Sequence, residues 1–340
     1  MHVISTSSKV NNSEHLIEVK GLVKYFPVLS RGIIRTKRIG WVHAVDNVSF
    51  HIDEGETLGL VGESGCGKTT LARTILYLIP PTSGTVYFDG ENVFEVFKSG
   101  DKSKIMELRR KMQILFQNPY TFLDPRMTVK EILSEPFEVH GVLDKEKITD
   151  AVFKLLDMVG LEPYHADRYP HEFSGGQRRR ISIARALALE PKFLILDEPV
   201  ASLDMSIRSQ ILKLLIKLQQ EKKLTYLCIS HDLNSILHVS DRVAVMYLGK
   251  FVEIADVETI FKKPAHPYTK ALISAVPVID PKTGRERIIL QGEVPSAINP
   301  PKGCRFHPRC PHTKDICKKR EPQLVEIEKG HLCACHLVSG

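Results

Sequence analysis

Gly62-Glu63-Ser64-Gly65-Cys66-Gly67-Lys68-Thr69-Thr70 has the spacing G-x-x-x-x-G-K-[ST]. Just before it, Thr57 to Val61 is an apolar run of strand length, and after it Leu71, Ile75 and Leu78 recur at helical spacing. The order is therefore strand, glycine loop, helix. The glycines let backbone N–H groups turn inward as a nest, and the helix N-terminus adds partial positive charge, so the segment suits a phosphate chain. Lys68 is expected to reach the β and γ phosphates of ATP, and the Thr69 hydroxyl to coordinate Mg²⁺. Every position from Gly62 to Thr70 is a candidate ATP-binding residue.

Working outward, 340 residues are enough for one large or two modest domains. The formal charge is +7, but basic and acidic residues alternate through most of the chain, so charge alone does not call for nucleic acid. Met1 to Ser13 is polar, and no later apolar run approaches the roughly 18 residues that span a bilayer. The expectation is a chain neither exported nor membrane-spanning. Of seven cysteines, Cys66 lies in the glycine loop and Cys228 in an apolar run, while Cys304, Cys310, Cys317, Cys333 and Cys335 crowd a separate tail module. ATP chemistry points to the cytosol, where thiols stay reduced, so a metal centre is favoured over a disulfide framework. The tail spacing, C-x5-C-x6-C-x15-C-x-C, is wider than the usual zinc pairs; four thiolates suit an iron–sulfur cluster, and zinc or unligated thiols stay open.

Leu16 to Leu22 reads as a strand, Arg31 to Arg38 as a basic loop, and Val48, Phe50 and Ile52 as a half-buried strand. Met112 to Phe116 reads as a buried strand stopping at Gln117. Ile148, Ala151, Val152, Leu155, Leu156 and Val159 share a helical face closed by Gly160 as the C′ residue, within a helical insertion. Phe193 to Leu196 delivers Asp197 and Glu198 at a strand end, the form of a buried parallel strand with acids at its C-terminal edge. Asp197 then holds Mg²⁺ opposite Thr69, and Glu198 polarises the attacking water. A further strand, Thr225 to Ile229, closes with His231, and Leu248-Gly249-Lys250 reads as a hairpin turn. After Pro264 proline, histidine and cysteine replace the long apolar stripes.

Ser174-Gly175-Gly176-Gln177, between the phosphate loop and the acidic strand, resembles the signature motif of ABC ATPases, and the order of motifs is that family's. The resemblance implies that Phe26 stacks on adenine, beside Tyr25 as the other aromatic. It also implies that Gln117 senses Mg²⁺ and the γ-phosphate, Glu198 is the catalytic base, and His231 contacts the γ-phosphate. Ser202-Leu203-Asp204 corresponds to the D-loop. The signature is expected to meet ATP bound by a second, homologous or identical ATPase subunit, head to tail. One departure is Cys66: a thiol at a helix N-terminus is expected to favour its thiolate, and its alkylation to block ATP binding.

Phe116-Gln117-Asn118-Pro119-Tyr120, Leu123-Asp124-Pro125-Arg126, His266-Pro267-Tyr268-Thr269 and Cys304-Arg305-Phe306-His307-Pro308-Arg309-Cys310-Pro311 look like the ATP-binding subunits of dipeptide and oligopeptide importers. That family implies an α/β P-loop fold of the ABC type: a RecA-like core, an antiparallel β-subdomain, a helical subdomain at about 120–180, and a small C-terminal Cys-rich module. The nucleotide-binding domain is expected over 1–265 and the C-terminal domain over 266–340. It implies a [4Fe-4S] cluster on Cys304, Cys310, Cys317 and Cys335, with Cys333 spare. It also implies two permease subunits, an extracytoplasmic solute-binding protein, and a peripheral location at the cytoplasmic membrane face. Oligosaccharide or nickel uptake are alternatives; a soluble ATPase acting on nucleic acid is the reading from another class.

Overall fold

The computed structural model describes residues 15–31, 36–118, 122–276 and 287–338. Met1 to Ser13, the centre of the basic segment (32–35) and Pro119-Tyr120 lie outside the described residues.

Strands β1 (Ile17–Arg31) and β2 (Thr36–Ile52) form a long antiparallel ribbon. The expected basic loop is a correction: Arg31 pairs with Thr36 and Ser30 with Lys37, so its described residues, Arg31 and Thr36 to Arg38, run as strand. A register shift between Val28 and Leu29 precedes it, and its basic residues carry no apolar alternation that would have marked a strand. β3 (Thr57–Val61) is buried throughout and feeds helix α1 (Lys68–Ile75), which ends a turn before Leu78. β4 (Ser83–Phe88) and β5 (Glu91–Asn92) complete a four-stranded antiparallel sheet, β2-β1-β4-β5. Helices α2 (Val93–Ser99) and α3 (Lys102–Lys111) are N-capped by Asn92 and Asp101, and β6 (Met112–Leu115) follows.

The helical region contains α4 (Val129–His140), opened by a Thr128/Glu131 capping box, α5 (Lys145–Met158), and α6 (Gly175–Leu187). Gly160, with φ +70°, occupies the left-handed position just past α5. Then come β7 (Phe193–Asp197), α7 (Met205–Lys222), β8 (Thr225–Ile229), α8 (Leu233–Val239), β9 (Arg242–Tyr247) and β10 (Lys250–Asp256). Strands β9, β3, β8, β7 and β6 pair in parallel, which brings their C-terminal ends, and so the glycine loop, Gln117, Asp197 and His231, to one edge. One core packs Leu71, Ala72 and Ile75 of α1 between the two sheets; the other joins the helical region to the opposite face of the large sheet.

The remaining elements are α9 (Val257–Lys262), α10 (Pro267–Ser274), α11 (Asp315–Lys319), β11 (Val325–Glu328) and β12 (His331–Cys333). The tail does not stand apart as a separate module. β12 pairs with β10, so the large sheet has the order β11-β12-β10-β9-β3-β8-β7-β6. The reason is chemical as well as topological: Glu253 on β10 is fully buried, and its carboxylate faces Nε2 of His331 at 2.7 Å.

Candidate active site

The loop between β3 and α1 needs its glycines. Gly67 has φ +115°, and a Cβ there would lie 2.0 Å from the Ala44 carbonyl oxygen. The Lys68 ammonium is buried at the centre of the loop and donates to the carbonyls of Gly62 (2.7 Å) and Glu63 (3.1 Å). Ser64, Gly65, Gly67, Lys68, Thr69 and Thr70 line a cavity of about 610 Å³. Phe26, Val42 and Ala44 form another part of its wall, and Gln117, Glu198 and His231 also line it. Gly62, Glu63 and Cys66 are in the loop but do not line this cavity. The expected Cys66 thiolate is a correction: the side chain is buried, and burial pushes the thiol's pKa up.

At the end of β7, Asp197 accepts from the Thr69 hydroxyl at 3.4 Å. Burial, and next the charge of Glu198, raise its pKa above the ordinary carboxylate range. A carboxylate oxygen beside a hydroxyl oxygen is a donor pair that suits a hard divalent cation, so Asp197 and Thr69 fit Mg²⁺. Glu198 stands one residue on in the left-handed region, φ +51°, a strained position for a non-glycine residue that is fixed by its N–H donating to Ile229 O at 2.9 Å. Its Oε1 accepts the His231 N–H (3.2 Å) and faces His231 Nδ1 at 2.8 Å. The glutamate is thus aimed while its partner imidazole stays exposed.

The sequence reading had missed Arg179 on α6. It is 1% exposed and donates to the carbonyls of Phe116 (2.8 Å), Gln117 (2.6 Å) and Glu198 (3.2 Å), tying the glutamine segment to the acidic strand end. Burial lowers its pKa to about 10. A second missed contributor is Ala297, which lines the cavity beside Val42 and accepts the His43 N–H at 2.9 Å.

Residues 45–201 match the ABC transporter family, and residues 252–317 match the oligopeptide/dipeptide transporter C-terminal region. The oligopeptide transport ATP-binding protein AppF of Bacillus subtilis is 48% identical over 330 residues, which cover 96% of this chain and 99% of AppF. The chain belongs to the oligopeptide/dipeptide ABC transporter family. The dipeptide transport ATP-binding protein DppF of Haemophilus influenzae is another relative, 45% identical with 97% and 98% coverage. Among solved structures, the dimeric bacterial ABC transporter cassette MJ0796 matches with a TM-score of 0.61 and 29% identity, covering 71% of this chain and 98% of that one. CbiO1 of Clostridium perfringens matches with a TM-score of 0.60 and 30% identity over 73% and 91%. Like the rest of its family, the chain is an ABC ATPase with the P-loop fold.

Two motifs of this ABC ATPase do not line the cavity. Ser174 caps α6, accepting the Gln177 N–H at 3.3 Å while Gln177 Oε1 accepts the Ser174 N–H at 3.0 Å. Gly176 approaches α7 so closely that a Cβ would stand 2.6 Å from Ile207. Asp204, at the N-terminus of α7, is exposed.

In the C-terminal region Cys304, Cys310, Cys317 and Cys335 are electrostatic neighbours. Burial raises Cys304 to about 11, with the other three thiols adding to it, and Cys304 N–H donates to Cys317 O at 2.8 Å. A tetrahedral zinc ion with bonds of about 2.3 Å gathers its sulfurs more closely than about 4 Å. Among the described residues, only His15, His51 and Asp53 bring three ligand atoms within 4.8 Å of one another.

Proposed function

We propose that this chain is the motor subunit of a peptide importer, coupling ATP binding and hydrolysis to movement of membrane permeases. The observation that carries this reading is the convergence of Lys68, Thr69, Gln117, Glu198 and His231 on one cavity. Water attacks the γ-phosphorus; Glu198 accepts the water's proton as the new P–O bond forms, and ADP leaves as the bridging bond breaks. Lys68 balances charge on the phosphates, His231 orients Glu198 and meets the γ-phosphate, and Gln117 reports the occupied site to the permease. Thr69 and Asp197, with Gln117, would hold Mg²⁺, which when bound would supply positive charge to offset that developing on the phosphates.

Ser174 to Gln177 and Asp204 act on ATP held by a second, homologous or identical subunit packed head to tail. Their lying off the cavity of their own chain, with the amides of the α6 N-terminus next to the capping serine, supports this. Two permease subunits and an extracytoplasmic binding protein complete the importer, with this subunit peripheral at the cytoplasmic face. Peptide cargo rests on the names of AppF and DppF. Cys304, Cys310, Cys317 and Cys335 hold a [4Fe-4S] cluster that staples the C-terminal region; colourless, iron-free protein purified without oxygen would remove that part.

The central test is Glu198→Gln. ATP binding should persist while phosphate release falls at least 100-fold, and turnover at the wild-type rate would refute the base. Permease in liposomes should stimulate the wild-type ATPase and DNA should not; the reverse would favour a nucleic-acid ATPase.

A further inference from the structure

Glu63 is held by the region beyond Pro264 on both its backbone and its side chain. Its N–H donates to the hydroxyl of Tyr268 at 2.9 Å, and its carboxylate takes a bidentate pair from Arg309, Nη1 to Oε2 at 2.8 Å and Nη2 to Oε1 at 3.1 Å. Its carbonyl in turn receives the Lys68 ammonium. Neither brace is a loose surface contact. Tyr268 is fully buried and the Arg309 side chain nearly so, with its guanidinium over the Tyr247 ring; Tyr247 and Tyr268 touch each other, and Phe306 packs against both.

The braces are themselves anchored. Tyr268 N–H donates to His266 Nδ1, and His266 N–H to the buried Glu253 carboxylate, which also meets His331. A planar fork on a carboxylate fixes orientation as well as distance. A buried N–H deprived of its acceptor would have to move or stay unpaired.

We infer that Arg309 and Tyr268 are positioning residues for the phosphate loop, acting through Glu63, so that the C-terminal region sets the affinity of the nucleotide site. Glu63 does not line the cavity, so its work is on the backbone that carries Lys68 and the loop amides. The proposal concerns nucleotide binding alone and stands whatever the cargo.

The test is binding of a fluorescent ATP analogue to the full chain, with steady-state ATPase alongside. Arg309→Gln and Tyr268→Phe should each raise Kd about tenfold and raise KM, with kcat within about twofold because Glu198 and His231 are untouched. Arg309→Lys should recover part of the affinity. The double variant Glu63→Gln with Arg309→Gln should bind no worse than Arg309→Gln alone, because both remove one interaction; a general loss of packing would give additive losses. Tyr268→Phe is nearly isosteric and keeps the test open if Arg309→Gln fails to fold. Wild-type Kd in folded Tyr268→Phe, or additivity in the double variant, would overturn the proposal.

Discussion

Asp197 stands where function and stability pull in opposite directions. Its pKa is raised in the folded chain, so the native state holds the proton more tightly than the unfolded one, and ionising it at neutral pH costs stability. Asp197→Asn should therefore raise stability without nucleotide by about 1 kcal/mol while abolishing Mg²⁺-dependent turnover. Thermal melts and phosphate release read the two effects, and a lowered midpoint would mean the bond to Thr69 outweighs the buried charge. Arg179→Met should cost about 3 kcal/mol in chemical denaturation, since it strips three carbonyls of a charged donor. The phosphate loop and the acid pair Asp197 and Glu198 were legible from residue type and spacing, because each sits where a strand or helix end is marked by composition, whereas the role of His231 was implied only by the family resemblance. Arg179 was not legible: an arginine on a helix reads as solvated, and only the fold turns it inward against the Gln117 and Glu198 carbonyls.

Among the elements, α10 carries a chemical signature of its burial. His266 accepts the Tyr268 N–H, and burial lowers its pKa from 6.5 to about 3. The unfolded chain takes up this proton near 6.5 and the native chain only near 3, so this contribution is complete above 6.5 and is lost as pH falls from there. Asn in its place keeps an acceptor but does not titrate. His266→Asn should flatten the fall in stability between pH 6 and 4 by up to about 1.4 kcal/mol per unit, measured by urea unfolding at each pH. An unchanged slope would mean that His266 titrates as an exposed histidine. The same segment shows what element-scale reading catches and loses. The apolar runs of β3, β7 and β8 announced strands, and that of β7, ending in two acids, a parallel one; Leu16 to Leu22 and Val48 to Ile52 announced parts of β1 and β2, whereas their continuation into the basic residues Arg31, Lys37 and Arg38 did not look like strand.

At the scale of the whole molecule, the shift of composition after Pro264 suggested an appendage, yet its last strands lie in the central sheet. Composition reports how little apolar surface a segment owns, not whose surface it covers. Removing residues from 325 onward should uncover the β10 edge and strand the buried Glu253 carboxylate without His331. The expected result is a melting midpoint several degrees lower and concentration-dependent association in light scattering. An unchanged midpoint would restore the picture of an independent tail.

That last pairing also orders events in time. As the chain is made, β9 and β10 are synthesised well before His331, and N-terminal units fold first. For that interval the nascent protein holds an open sheet edge and a carboxylate awaiting its counter-group. The late strand β12 then acts as a latch: the phosphate loop can take shape early, but the scaffold behind it closes only when the end of the chain arrives.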